Sequence, residues 1–269
     1  MMDPAALEQS RQFVRRQGTA VEQARLRYLF NGDTPPPDVV EQFRRSQRND
    51  GGWEPSWATE YSSVDATCYR LAQLDQLGLG VETPMVTDGI RFLAELQAPD
   101  GSWEEDADQE QAAPFWAMPG DASARLYLTA NAGYWVGRSG LIPVSARDAA
   151  DYLLAALAPD GQLASFLQAH WLAVGLWNLL GYDEPVARTL GYIDTRIDEL
   201  PVDDLVWMLV ALLDADVSAE HPAVAHGLDR LEALRDDEGV WGTDEGGENV
   251  AHVTVEALRA LKLGGRLDG

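Results

Sequence analysis

Asp65, Asp121 and Asp203 each open an apolar stretch with helical periodicity. A carboxylate at such a position can do two things. Free amide donors and the helix dipole favour its charged form, which makes it a cap. Burial works the other way, raising the pKa until the group can hand a proton to a substrate. Aromatic residues gather near the same positions. Trp57 and Tyr61 precede Asp65, Phe115 and Trp116 precede Asp121, and Tyr127, His170 and Trp171 follow along apolar stretches. Rings of this kind either fill a core or line a pocket for an apolar ligand. His252, at the start of the last apolar stretch, reads as a capping histidine or as a pocket group.

Charge narrows the partners. The chain has 269 residues, with 44 acidic against 20 basic side chains and a formal charge of -24. That balance repels nucleic acid and anionic bilayers. It is uneven, because residues 1–50 hold eight Arg and seven Asp or Glu. Arg44, Arg45 and Arg48 cluster there, either as a phosphate-recognising group or as the solvent face of a helix. Asp106-Ala107-Asp108 lies among Glu104, Glu105 and Glu110, and this run reads as a solvated loop. The single cysteine, Cys68, excludes an internal disulfide and a four-cysteine zinc site. No apolar run approaches the roughly 18–20 residues of a membrane span. The start, Met1-Met2-Asp3-Pro4, lacks the layout of a secretion signal, so a cytoplasmic protein is expected.

The elements that must position these groups are helices. Apolar periodicity predicts twelve, near 4–16, 18–30, 36–47, 64–78, 85–97, 121–138, 144–157, 163–180, 184–198, 201–214, 220–235 and 249–263. They alternate in character. The stretch with Val224, Leu228, Leu231 and Leu234 carries one apolar stripe, whereas 205–213 is apolar all round and must be buried on every side. Between the members of a pair lies a recurring turn: Gln47…Gly51…Trp53, Gln97…Gly101…Trp103, and the partial copies Gly161…Leu163 and Gly239…Trp241. Successive glycines are 50, 60 and 78 residues apart, and the long last gap predicts a degenerate turn at Leu200-Pro201. With Gly18 as a first turn the count is six helix pairs, enough to close a double ring as one domain over residues 1–269.

These turns resemble the glutamine–tryptophan motif of squalene cyclases and other class II terpene cyclases, shared in weaker form by protein prenyltransferase β subunits. Phe92-Leu93, Gln97, Gly101, Ser102 and Trp103 carry the likeness most fully. The resemblance implies an all-α fold, an (α/α)6 toroid, with a central cavity for an apolar isoprenoid. It also implies a reaction begun by an aspartic acid. Ser63-Val64-Asp65-Ala66-Thr67 aligns with the family's acidic stretch, with Ser63 and Ala66 replacing its flanking acids. Pro201-Val202-Asp203-Asp204 is a second version. Asp65 and Asp203 are thus the expected proton donors. Trp57, Tyr61, Trp116, Tyr127, His170, Trp171 and His252 are the expected substrate contacts, and no cofactor or metal is expected. Two alternatives remain. One is a toroid that binds an apolar ligand or a peptide without catalysis. The other is a zinc-dependent prenyltransferase, for which Asp203 and His252 match two ligands while Leu205 stands where the family has its cysteine.

Overall fold

The structure, a computed structural model, describes residues 2–243 and 246–267. Among them twelve α-helices form: α1 (Pro4–Gln17), α2 (Ala20–Asn31), α3 (Pro37–Ser46), α4 (Val64–Gln76), α5 (Pro84–Leu96), α6 (Ala122–Ser139), α7 (Pro143–Ala156), α8 (Leu167–Leu180), α9 (Asp183–Asp194), α10 (Val202–Asp214), α11 (Pro222–Ala233) and α12 (Val250–Leu263). The described residues hold no strand, only isolated bridges from Trp53 to Gln47 and Ser63. No helix among them is long and apolar enough to cross a membrane. Local chemistry sets the ends. Proline occupies the first position of α1, α3, α5, α7 and α11, where its missing N–H costs nothing. Thr19 and Glu22 form a reciprocal capping box on α2. Left-handed Gly32, Gly140 and Gly181 stop α2, α6 and α8.

The chain divides into two compact units, Val40–Tyr192 and the remainder on either side of it. In the unit formed by the two ends of the chain, α12 packs against α1, α2, α10 and α11. In the other, α4, α6 and α8 lie side by side, with α5 against α4 and α6, and α7 against α6 and α8. The expected difference between helices of a pair is present. Every residue of α8 from Ala169 to Trp177 is buried, whereas α5 buries one face through Met85, Val86, Gly89, Ile90, Phe92 and Leu93.

The recurring turn is a hydrogen-bonded staple. Gln47 Nε2 donates to the carbonyls of Gly51 (2.8 Å) and of Met85 in the first turn of α5 (2.8 Å). Gln97 repeats this with Gly101 (3.0 Å) and Ser145 of α7 (2.9 Å). Trp103 and Trp241 lie buried and donate Nε1–H to the carbonyls of Leu93 (2.6 Å) and Leu231 (2.7 Å), ten residues back in each case. Gly51, Gly101 and Gly161 sit at φ of +92°, +89° and +89°. A Cβ at these positions would come within 2.6, 2.4 and 2.4 Å of the carbonyl oxygens of Asp88, Asp148 and Arg188 on α5, α7 and α9. Glycine is required there by conformation and by space together.

The staple also fixes the start of the following helix. The backbone N–H of Trp53 donates to Thr67 Oγ1 (3.1 Å), and Thr67 donates to the Ser63 carbonyl (2.7 Å). Trp103 and Thr129 do the same, at 3.0 and 2.7 Å. In the third copy His170 takes the threonine's place. Its Nε2 accepts from Leu163 N–H (2.9 Å), and its Nδ1–H donates to the Phe166 carbonyl (3.1 Å). Leu163 to Phe166 therefore belong to the turn, and α8 starts four residues later than its periodicity predicts. The degenerate turn expected at Leu200-Pro201 is a connection with a single 3-10 turn, Ile197–Glu199, so α9 ends at Asp194 and not near 198.

Candidate functional site

Ser63 caps α4: its Oγ accepts from Ala66 N–H at 3.1 Å. The two earlier amides of the helix, Val64 N–H and Asp65 N–H, donate to the carboxylate of Glu105 at 3.1 Å each. Glu105 also accepts from Ser63 Oγ (2.7 Å) and from the Tyr61 hydroxyl (2.7 Å), and it is only 2% exposed. A buried anion at a helix N-terminus satisfies donors that would otherwise be orphaned. Burial pushes the Glu105 pKa up, and the four donors pull against that shift. The Tyr61 phenol is pushed up by burial and by the Glu105 charge, so it keeps its proton and stays a donor. The reading of the run 104–110 as a solvated loop holds for Glu104, Asp106, Ala107, Asp108 and Glu110, which are exposed, and is corrected for Glu105 alone. Glu105 turns inward because four donors converge where it lies.

With its helix amides served by another segment, Asp65 is not the cap of α4. Its carboxylate turns to α6 and to the segment before it. Oδ1 accepts from the Tyr127 hydroxyl at 2.8 Å and, more distantly, from Asn131 Nδ2 at 3.4 Å. Oδ2 accepts from Trp116 Nε1 at 3.3 Å. Burial raises the Asp65 pKa above the ordinary carboxylate value, while the bonds from Tyr127, Trp116 and Asn131 work to lower it. Tyr127 is itself pushed well up by burial and by the neighbouring Asp65, which makes it a lasting donor. Cys68, buried beneath, is raised in the same way by burial, Asp65 and Glu105, and is no nucleophile at neutral pH.

Aromatic surface surrounds this carboxyl. Trp116 and Phe115 meet edge to face at 5.1 Å, Phe115 and Phe166 at 5.5 Å, and Phe166 and Tyr127 at 6.2 Å. Phe115 is 67% exposed and Trp116 38%, so the outer part of the cluster is open to a ligand. A carboxyl with a raised pKa beside accessible rings can protonate an apolar group or anchor a polar one.

The other expected site residues lie in several places. Trp57 packs on Tyr61, ring centroids 5.9 Å apart, and Tyr61 serves Glu105, not the Asp65 carboxylate. His170 is part of the third staple, with its ring stacked on Tyr192 at 4.8 Å, and Trp171 beside it is fully buried. Asp121 caps α6 through Ala124 N–H at 2.9 Å. Asp203 and His252 belong to the other unit. Asp203 Oδ2 accepts from Thr243 Oγ1 at 2.7 Å. His252 Nδ1 lies 2.8 Å from Arg25 Nη1. Arg25, 1% exposed, also holds Glu256 at 2.8 Å. Burial works against Glu22, but bonds from His252 and Thr19 and the Arg25 charge hold its pKa down at about 2. Arg44 and Arg45 face solvent and pair with Glu41, at 2.6 and 2.7 Å. Among the described residues no three His, Cys, Asp or Glu side chains gather as metal ligands would.

Glu105 and Asn131 are the members that sequence reasoning missed. Asn131 did leave a signal, a lone amide inside a helix otherwise buried and apolar around it. Glu105 left none, since its neighbours Glu104 and Asp106 are polar too.

Comparison with known proteins places the fold. No family model matches the chain. A probable squalene–hopene cyclase of Sinorhizobium fredii is 31% identical over 68 residues, which is 25% of this chain and 10% of that protein. The match thus spans a small part of the curated relative. Among solved structures, the ligand-free type II terpene cyclase MstE of Scytonema superposes with a TM-score of 0.60 at 16% identity, covering 97% of this chain and 88% of that one. Variants of MstE in complex with geranylgeranyl dihydroxybenzoate as substrate and with merosterolic acid A as product match over the same shares. They are 15% and 14% identical, each with a TM-score of 0.58. The all-α toroid fold that the turn residues implied is therefore the fold of this chain.

Proposed function

We propose that this chain is a terpene-cyclase-like protein that takes an apolar isoprenoid against the rings beside Asp65, and that Asp65 supplies the proton that starts its cyclisation. The reading rests on one observation: a carboxyl raised by burial, bonded to Tyr127 and Trp116, at the edge of an accessible aromatic cluster. In the proposed step the Asp65 O–H bond breaks and its proton joins one carbon of a terminal alkene. The alkene's π electrons form the new C–H bond and leave a carbocation on the neighbouring carbon. A second alkene attacks that cation to close a ring, and loss of a proton gives a product of unchanged mass. The faces of Trp116, Phe115, Phe166 and Tyr127 would stabilise the cation through their quadrupoles. Tyr127, Trp116 and Asn131 donate to the carboxylate left behind, so they favour the charge that develops as the proton departs. The substrate bound by MstE, a geranylgeranyl aromatic acid, supports a polyprenyl chain as the class of ligand.

One observation favours a second reading. Three donors on one carboxylate favour its charged form, which suits a toroid that binds an isoprenoid without turning it over. A single experiment separates the two. The protein is incubated with geranylgeranyl dihydroxybenzoate, and extracts are resolved by liquid chromatography and mass spectrometry. Cyclisation predicts an isomer of unchanged mass and altered retention. Asp65→Asn, checked for folding by circular dichroism, should abolish that isomer, while Asp203→Asn should leave it. Retention of the linear ligand with no isomer supports binding alone. An isomer that persists in Asp65→Asn and vanishes in Asp203→Asn moves the acid to α10.

A further inference from the structure

We propose that the groove between α1 and α2 binds a phosphate-bearing ligand, independently of the chemistry at Asp65. Arg11 and Arg15 stand one turn apart on α1, and Gln23, Arg27 and Asn31 repeat at the same spacing on α2. The two stripes line one groove, with buried Leu26 as its floor. Neither Arg11 nor Arg27 forms an ion pair among the described residues. Arg11 lays its guanidinium 4.4 Å from the centre of the Phe30 ring, and Lys262 Nζ stands 5.1 Å from the same ring. Arg11 Nε is buried there without a hydrogen-bond partner. The acidic neighbour, Glu8, is held at one end by Arg15 at 2.9 Å, and Asn31 Nδ2 is engaged by Asp33 at 3.0 Å at the other.

The chain has 44 acidic side chains against 20 basic ones, yet among the described residues no carboxylate lies within ion-pair distance of Arg11 or Arg27, and the Glu8 charge reaches Arg11 only at longer range. Like charges lining one groove repel, and a multiply charged anion bound there offsets that cost. Guanidinium forks match the oxygens of phosphate in spacing and direction, and the groove brings several such donors together over Leu26. A phosphate or diphosphate group fits this chemistry, whether it comes from a soluble molecule or from a lipid headgroup.

The test is calorimetric titration of the full chain with inorganic diphosphate at low ionic strength. Saturable binding at one site is expected, and Arg11→Gln combined with Arg27→Gln should weaken it by about tenfold or more. Arg16→Gln, on the exposed side of α1 outside the groove, should leave it unchanged. A second arm uses sedimentation with vesicles of phosphatidylcholine alone or with phosphatidic acid. Vesicle binding that soluble diphosphate displaces and the double variant loses assigns the headgroup as a source. Binding of diphosphate without vesicle association assigns a soluble one. Absence of saturable binding in both arms overturns the proposal, and so does equal weakening by Arg16→Gln, which would reduce the effect to diffuse charge.

Discussion

Two helices of this chain start with the same two residues and end up with different chemistry. Val64-Asp65 opens α4 and Val202-Asp203 opens α10, with the aspartate second in each helix. At α4 the free amides are served by Ser63 and by Glu105, a carboxylate from another segment. At α10 the residue before the helix is Pro201, and no side chain caps it. Asp203 turns to Thr243 instead, at 2.7 Å. The connection ahead of α10 is held from the outside by α11, where Arg230 donates to the carbonyls of Ile197 and Leu200 and His226 stands between Asp194 and Asp198. The lesson is about supply. A local aspartate is free to become a candidate acid when a distant carboxylate takes over its duty to the helix.

The sharpest break of this contrast removes Glu105. Glu105→Ala leaves two hydroxyls, one buried amide and one part-buried amide without their acceptor, and should cost about 3 kcal/mol or more of stability in urea denaturation at neutral pH. Thr243→Val, which removes the one donor to Asp203 among the described residues, should cost about 1 kcal/mol. Equal losses from the two substitutions would erase the distinction between the helix starts.

Much of this was legible in residue types, and the reasons are local. Proline at first positions, glycine at left-handed stops and the alternation of one-faced with all-apolar stretches place the helices within a few residues. The exceptions are instructive. Leu163 to Phe166 look like helix, but His170 holds the Leu163 amide as threonine holds tryptophan's in the other copies. Only the paired geometry of the turns reveals that a histidine and a threonine can do one job. Asp65, Trp116 and Tyr127 were each recognisable from their positions before or within apolar helices, though 51 and 62 residues separate the rings from the acid. Glu105 was not, because nothing in a run of acids marks the one that the fold turns inward.

Smaller effects come from titration, and two carboxylates should behave oppositely. The folded-state pKa of Asp65 is raised, so its contribution to stability is full below the ordinary carboxylate value and lost as pH rises through the raised one. Glu22, on α2, is lowered from 4.5 to about 2. Its contribution is present above 4.5 and is lost as pH falls toward 2. Thermal midpoints of wild type, Asp65→Asn and Glu22→Gln across acid to neutral pH would show this directly. The advantage of wild type over Asp65→Asn should shrink as pH rises, and its advantage over Glu22→Gln should grow. Parallel trends in the two variants would mean that burial does not dominate at Asp65, and the case for it as a proton donor would fail.

The smallest expected change tests the outside clamp at α10. His226 places Nδ1 3.0 Å from Asp194 and Nε2 3.1 Å from Asp198, and these hydrogen bonds, that to Asp194 foremost, raise its pKa above 6.5. A raised histidine stabilises the fold fully below its unfolded value, and that contribution disappears as pH climbs through the folded one. The imidazole is 38% exposed, so solvent screens both pairs, and His226→Gln should cost under about 1 kcal/mol even in mild acid. Denaturation at pH 6 and pH 9 measures it, with the cost present at the lower pH and absent at the higher. A larger loss, or one that persists at pH 9, would mean that the connection before α10 depends on this ring as heavily as α4 depends on Glu105. The two helix starts would then differ in the sign of the charge that holds them and not in how strongly they are held.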